Sequence, residues 1–185
     1  LHCCNGRQPG RNYGRMTTGL KSLFGSVLLL SERGNRMKEN LIRQIENYPP
    51  FNEQEEKDKA LILGWIRNNE NAFSRENTVA HITASAWVVN KDRSKVLMVY
   101  HNIYNSWSWL GGHADGHVKK GNYVSSHLHL NITYLLEADS GEQVSVKADE
   151  NSGVMWFSPE DALEKSTEPW FVEHIYSKLI KKMGV

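Results

Sequence analysis

The sequence has 185 residues, 39% of them hydrophobic, which is enough to bury one core and not two. Its formal net charge is +1 with acidic and basic residues intermixed, so the electrostatic footprint of a dedicated nucleic-acid binder is missing. The only cysteines, Cys3 and Cys4, are adjacent; they can neither staple distant segments nor offer zinc-ligand spacing, and they fit a reducing cytoplasm.

Residues 1–36 carry scattered Gly, Arg, Asn and Thr and one apolar patch, Leu23 to Leu30, too short to span a bilayer, so no membrane partner is expected. Arg15, Met16 and Lys21 ahead of that patch suggest a signal peptide, but "SERGNR" follows where small residues would mark a cleavage site. The other reading is a non-native or disordered extension. "ERGNR" ahead of Met37 can be encoded by a purine run resembling a bacterial ribosome-binding site, and translation is then expected to start at Met37.

From Met37 a helix is predicted with Leu41, Ile42 and Ile45 on one face, stopped by Pro49 and Pro50. A second helix begins at Asn52 as N-cap with Glu55 at the third helical position, a capping-box pattern, and runs through Ala60, Leu61 and Trp65 to about Asn68. Thr78 to Val89 and Lys95 to His101 read as two strands of a hairpin with "NKDRS" as its turn.

In "SSHLHLNITYLLEA", Leu128, Leu130, Ile132, Tyr134 and Leu136 alternate with His127, His129, Asn131 and Thr133, which predicts a half-buried strand. Val154 to Phe157 is a further strand, and Ser158 as cap with Pro159 behind it starts a short helix. A last helix is predicted from about Trp170 to Lys182, with Phe171, Ile175 and Leu179 at spacing four. Helices at both ends of a mixed sheet give an α/β or α+β class, here one domain over residues 37–185, and that class hosts many functions.

The stretch "AWVVNKDRSKVLMVYHNIYNSWSWLGGHADG" resembles the first half of a Nudix hydrolase. In that family a β-hairpin leads through an aromatic loop to a paired glycine; the matching pieces are Trp87 to Val89, Val96 to Tyr100, the loop ending at Trp109, and Gly111 with Gly112. "HLHLNITYLLEAD" and "DENSGVMWFSPEDALEK" are similar to the family's later strands and short helix, so the resemblance covers most of residues 78–165. It implies a mixed sheet sandwiched by helices and magnesium-dependent hydrolysis of a nucleoside diphosphate linked to another group.

The family's box, G-x5-E-x7-R-E-U-x-E-E-x-G-U, does not continue from these glycines. Counting from Gly112 places Val118, His127, Leu130 and Asn131 where its glutamates stand, and from Gly111 to Leu136 the one carboxylate is Asp115. The chemistry needs those acids. Water attacks an anionic diphosphate only when divalent cations neutralise its oxygens, and magnesium takes carboxylate oxygens and waters. Only Gly116 separates "HAD" from "HVKKG", each of which looks like intact family sequence, so an in-frame loss of the box helix and adjoining strand region near 116/117 is expected. A natural short relative with a redesigned loop is the rival. Three or four apolar side chains on the lost helix would contribute on the order of 5 to 12 kcal/mol of transfer energy, so marginal folding is expected.

The resemblance implies a substrate side made of Trp109, Gly111, Gly112, His113 and Asp115, with Glu150 as a carboxylate from outside the box. Trp107 and Trp109 suit either base stacking or packing. His127 and His129 share a strand face and could ligate zinc or another transition metal, with His113, His117 or Asp115 completing the shell; an ordinary polar strand face is the plainer reading. Three functions follow: an impaired cytoplasmic Nudix-type hydrolase, a binding module for a nucleotide or a protein, and a histidine-based metalloprotein.

Overall fold

Pro49 and Pro50 turn the chain back after its first helix, because neither can donate the hydrogen bond a continuing helix needs. A computed structural model of the protein describes residues 32–102, 104–111, 117–119, 122–124, 127–146 and 151–184. These form two compact units that divide between Glu70 and Asn71.

The first unit is a helical hairpin. Helix α1, Glu32–Glu46, begins upstream of Met37. Helix α2, Glu53–Asn68, starts as its sequence predicts: the Asn52 side chain accepts from the Glu55 backbone N–H at 2.9 Å. The buried Glu55 carboxylate reaches past the cap residue and accepts from Phe51 N–H at 2.8 Å and from the Tyr48 hydroxyl at 2.5 Å. Lys59 donates to the carbonyls of Glu46 and Tyr48, at 2.6 and 2.8 Å, and so closes the C-terminal end of α1 onto α2.

The second unit is mixed α/β, built on a five-stranded mixed sheet. Its strands are β1 (Ala80–Val89), β2 (Val96–His101), β3 (Ser106–Ser108), β6 (Leu128–Glu137) and β7 (Asn151–Phe157), while β4 (His117–Lys119) and β5 (Asn122–Val124) form a separate antiparallel pair. The predicted hairpin is present: Val88 faces Leu97 and Val89 faces Val96, antiparallel. Its turn is held by Asn90, whose backbone N–H donates to the Lys95 carbonyl at 3.1 Å while its side chain accepts from Lys95 N–H at 2.8 Å. Beyond Leu97, β2 pairs with β3 and, along its length, with β7. Strand β1 runs parallel to β6 for ten residues, from Ala80 beside Leu128 to Val89 beside Glu137.

One sheet face carries the main aromatic cluster of the core, while Val88, Leu97, Leu130 and Ile132 are buried on the other. Trp87 and Val89 of β1, Val96 and Met98 of β2 and Phe157 of β7 pack with Ala162, Ile175, Tyr176, Leu179 and Met183 from the C-terminal helices. Helix α3 (Pro159–Lys165) is capped as predicted, with Ser158 Oγ accepting from Asp161 N–H at 3.0 Å. The last helical run is α4 (Pro169–Phe171), a π turn over Val172–Tyr176, and α5 (Ser177–Met183). Ile175 and its neighbour Tyr176, both in the π turn, are buried in the core. Among the described residues no helix is long and apolar enough to cross a membrane.

Strand β6 departs from the half-buried expectation. Its polar side continues the core face of β1, and Asn131 and Thr133 are 1% and 0% exposed; on the apolar side Leu130 and Ile132 are buried too, at 5% and 2%, and the end residue Leu128 is 64% exposed. Burial is tolerated because the parallel neighbour supplies matching polar groups, described next.

Candidate functional site

The glycine loop is positioned by β1. Just past β3, Leu110 bridges to Ala86: Ala86 N–H donates to the Leu110 carbonyl at 2.8 Å and Leu110 N–H to the Ala86 carbonyl at 3.3 Å. Gly111 then adopts φ +100°, and a Cβ there would lie 2.8 Å from the Ala84 carbonyl oxygen and 3.2 Å from the Ser85 Cα. Both the backbone angle and the close approach require glycine.

The aromatic residues before the loop are packed. Trp109, 4% exposed, sits among the core residues with its ring edge-on to Tyr176 and Phe171, centroids 5.9 and 6.1 Å away. Its backbone N–H donates to the Tyr176 hydroxyl at 3.4 Å, and burial pushes that phenol's pKa above its ordinary range. The structure therefore assigns the Trp109 indole to the core. Trp107 is half-buried and edge-on to Tyr100 and Phe157. Gly112, His113, Asp115 and Glu150 lie outside the described residues, as does the side chain of His117.

Beside Gly111 runs a polar ladder. The parallel register sets Thr83 beside Asn131 and Ser85 beside Thr133 on the core face. Asn131 Oδ1 accepts from Ser85 Oγ at 2.9 Å and from Thr83 Oγ1 at 3.1 Å, while its Nδ2 donates to Thr133 Oγ1 at 3.0 Å. The carboxamide thus ties two strands through their side chains, and its buried groups are matched within the network.

The same register ends in three histidines. His81 is the partner of His129, and His127 lies two residues before His129 on the same side. Ring centroids are 4.8 Å apart for His81 and His127, 4.6 Å for His81 and His129, and 4.7 Å for His127 and His129. His127 Nε2 and His129 Nε2 are 2.8 Å apart, so one ring donates and the other accepts. All three rings offer a ligand nitrogen within 4.8 Å of the others.

His81 is the least accessible of the three, at 4% exposed, and its Nδ1 is buried with no hydrogen-bond partner. A buried polar atom left in that state costs about 1–3 kcal/mol. Burial, and secondarily the His127 charge, hold the His81 pKa below its ordinary value; hydrogen bonding to the Asn77 backbone opposes them and Arg75 adds to them.

Sequence spacing put His127 and His129 on one face and looked for a third ligand downstream of the glycines. The third histidine instead comes from β1. Its signal was present as alternation: His81, Thr83 and Ser85 recur at every second residue, as do His129, Asn131 and Thr133.

The donors suit some ions and not others. Imidazole nitrogen favours zinc and neighbouring transition metals, whereas magnesium takes oxygen, chiefly carboxylate and water. The described cluster contains three imidazoles and no carboxylate, so it does not fit magnesium. No protein-family model matches the chain, and no curated protein matches it.

Proposed function

We propose that this chain is a Nudix-type domain of the cytoplasm that keeps the substrate side of the fold and has lost the carboxylate helix. It binds a nucleoside diphosphate derivative and does not hydrolyse it at a useful rate. The observation that carries this reading is Gly111: a glycine at φ +100°, pressed on the Ala84 carbonyl at the end of an antiparallel hairpin and aromatic loop. A loop of this kind lets backbone approach a phosphate closely. The rest of the reading is supported by the order of the pieces: hairpin, loop, the strand Leu128–Glu137, then Asn151–Phe157 and a capped short helix.

Loss of catalysis follows from the donors. Gly111 to Leu136 contains one carboxylate, and a single acid cannot assemble the divalent-ion cluster the diphosphate chemistry needs. The exposed Leu128, hydrogen-bonded through its N–H to the equally exposed Val79, is consistent with an apolar cover removed from that end of the sheet.

The test is equilibrium binding of ADP-linked compounds beside a magnesium-dependent hydrolysis assay. Saturable binding without release of nucleoside monophosphate, weakened by Gly111→Ala, is the expected result. Magnesium-dependent turnover overturns the loss of catalysis, and absence of binding overturns the module.

A further inference from the structure

We propose that His81, His127 and His129 form a binding site for one transition-metal ion of zinc's class, with its remaining coordination position open to water. The site stands on its own geometry and does not depend on the nucleotide reading.

Three independent observations meet here. The first is that two strands far apart in sequence deliver the ligands: parallel pairing places His81 beside His129, and β6 spacing brings His127 to the same side. The second is the distances. Tetrahedral zinc bonds imidazole nitrogen at about 2.0–2.1 Å, which corresponds to nitrogens about 3.3 Å apart. The pair at 2.8 Å and the outer limit of 4.8 Å bracket that value, so small ring rotations close the shell.

The third observation is the unpartnered Nδ1 of His81, buried at this end of the ladder. The pair His127 and His129 needs a proton between its nitrogens in the absence of a cation; a metal ion replaces that proton and draws on the lone pairs of both. The Asn77 backbone, hydrogen-bonded to the His81 ring, orients it as outer partners of metal-bound histidines do.

The ladder behind the site ties its two strands together. Asn131 fixes Thr83 and Ser85 of β1 against β6, and these residues directly follow His81 and His129 along the two strands. Among the described residues there are three protein ligands; a fourth position taken by water is the arrangement in which zinc acidifies that water.

The experiment uses the full chain carrying Cys3→Ser and Cys4→Ser, because thiols near the terminus compete for the same ions. It is titrated with Zn(II) by calorimetry and with Co(II) by visible absorption. One equivalent of zinc per chain and an intense tetrahedral Co(II) spectrum are expected. His127→Ala and His129→Ala should each weaken zinc binding by at least ~100-fold, the upper range for disturbing even an outer-shell partner. His174→Ala, on the exposed face of the last helical run, should leave binding unchanged.

Retention of affinity in His127→Ala, or less than one equivalent bound by the chain with all three histidines, overturns the site. His127 and His129 are both half-buried, whereas His81 is buried, so the first two variants remain informative where a His81 variant fails to fold. The Co(II) spectrum decides the geometry with the histidines intact, and a weak octahedral spectrum overturns the three-imidazole shell.

Discussion

His81 of β1 lies directly beside His129 of β6, and the same parallel register carries Thr83 beside Asn131 and Ser85 beside Thr133. The histidine cluster and the buried ladder are therefore one structure, and what disturbs one strand end is felt at the other.

Asn131 is the centre of that structure, accepting from two hydroxyls and donating to a third. Asn131→Ala should destabilise the domain by about 1–3 kcal/mol, because hydroxyls in a buried row lose their partner. Urea denaturation of the variant against the parent checks this; an unchanged midpoint would show that the hydroxyls find other partners.

Gly111→Ala adds a Cβ 2.8 Å from a backbone oxygen at a φ that L residues rarely adopt. A loss of about 1–3 kcal/mol is expected from the strained backbone, together with a shift of the Leu110–Ala86 bridge. Amide hydrogen exchange should report that shift as faster exchange at Ala86 and Leu110.

Stability should form a plateau in pH with an edge on each side. The unfolded chain protonates histidine near 6.5, while folded His81 resists until lower pH, so the unfolded state binds more protons below 6.5 and stability falls as pH falls through that window. At the other edge the unfolded tyrosine ionises near 10.0 and folded Tyr176 only above it, so stability falls as pH rises past 10.0. Thermal melts across the range check both edges: His81→Gln should flatten the acid side and Tyr176→Phe the alkaline side.

The exposed Leu128 and Val79 predict dye binding and a broad melt for the chain as it stands. A sharp cooperative transition at high temperature, with no ANS fluorescence, would count against a missing covering helix.

Local signals were legible in the sequence. Asn52 and Ser158 announced their helices because a cap acts within three residues, and the hairpin was carried by adjacent strands and one turn. The burial of the polar side of β6 was not. Alternation separates two sides of a strand but does not say that both are buried; Leu130 and Ile132 are inside as expected, and a neighbour far away in sequence, whose own polar alternation matches, lets Asn131 and Thr133 be buried as well. His81 was hidden for the same reason: the third ring comes from the first strand and not from the glycine loop. Trp109 could stack or pack on sequence grounds, and in the structure it packs edge-on against Tyr176 within the core.

The β1–β6 ladder joins residues 48 positions apart, such as Thr83 and Asn131. Contacts at that separation form late, because a long loop must close before any pairing offsets its entropy. The hairpin Val88 to Leu97 can form early on its own, whereas the three-histidine cluster exists only once the parallel strand has docked. An ion held by those histidines would act chiefly on the unfolding rate, by locking shut the last seam to close.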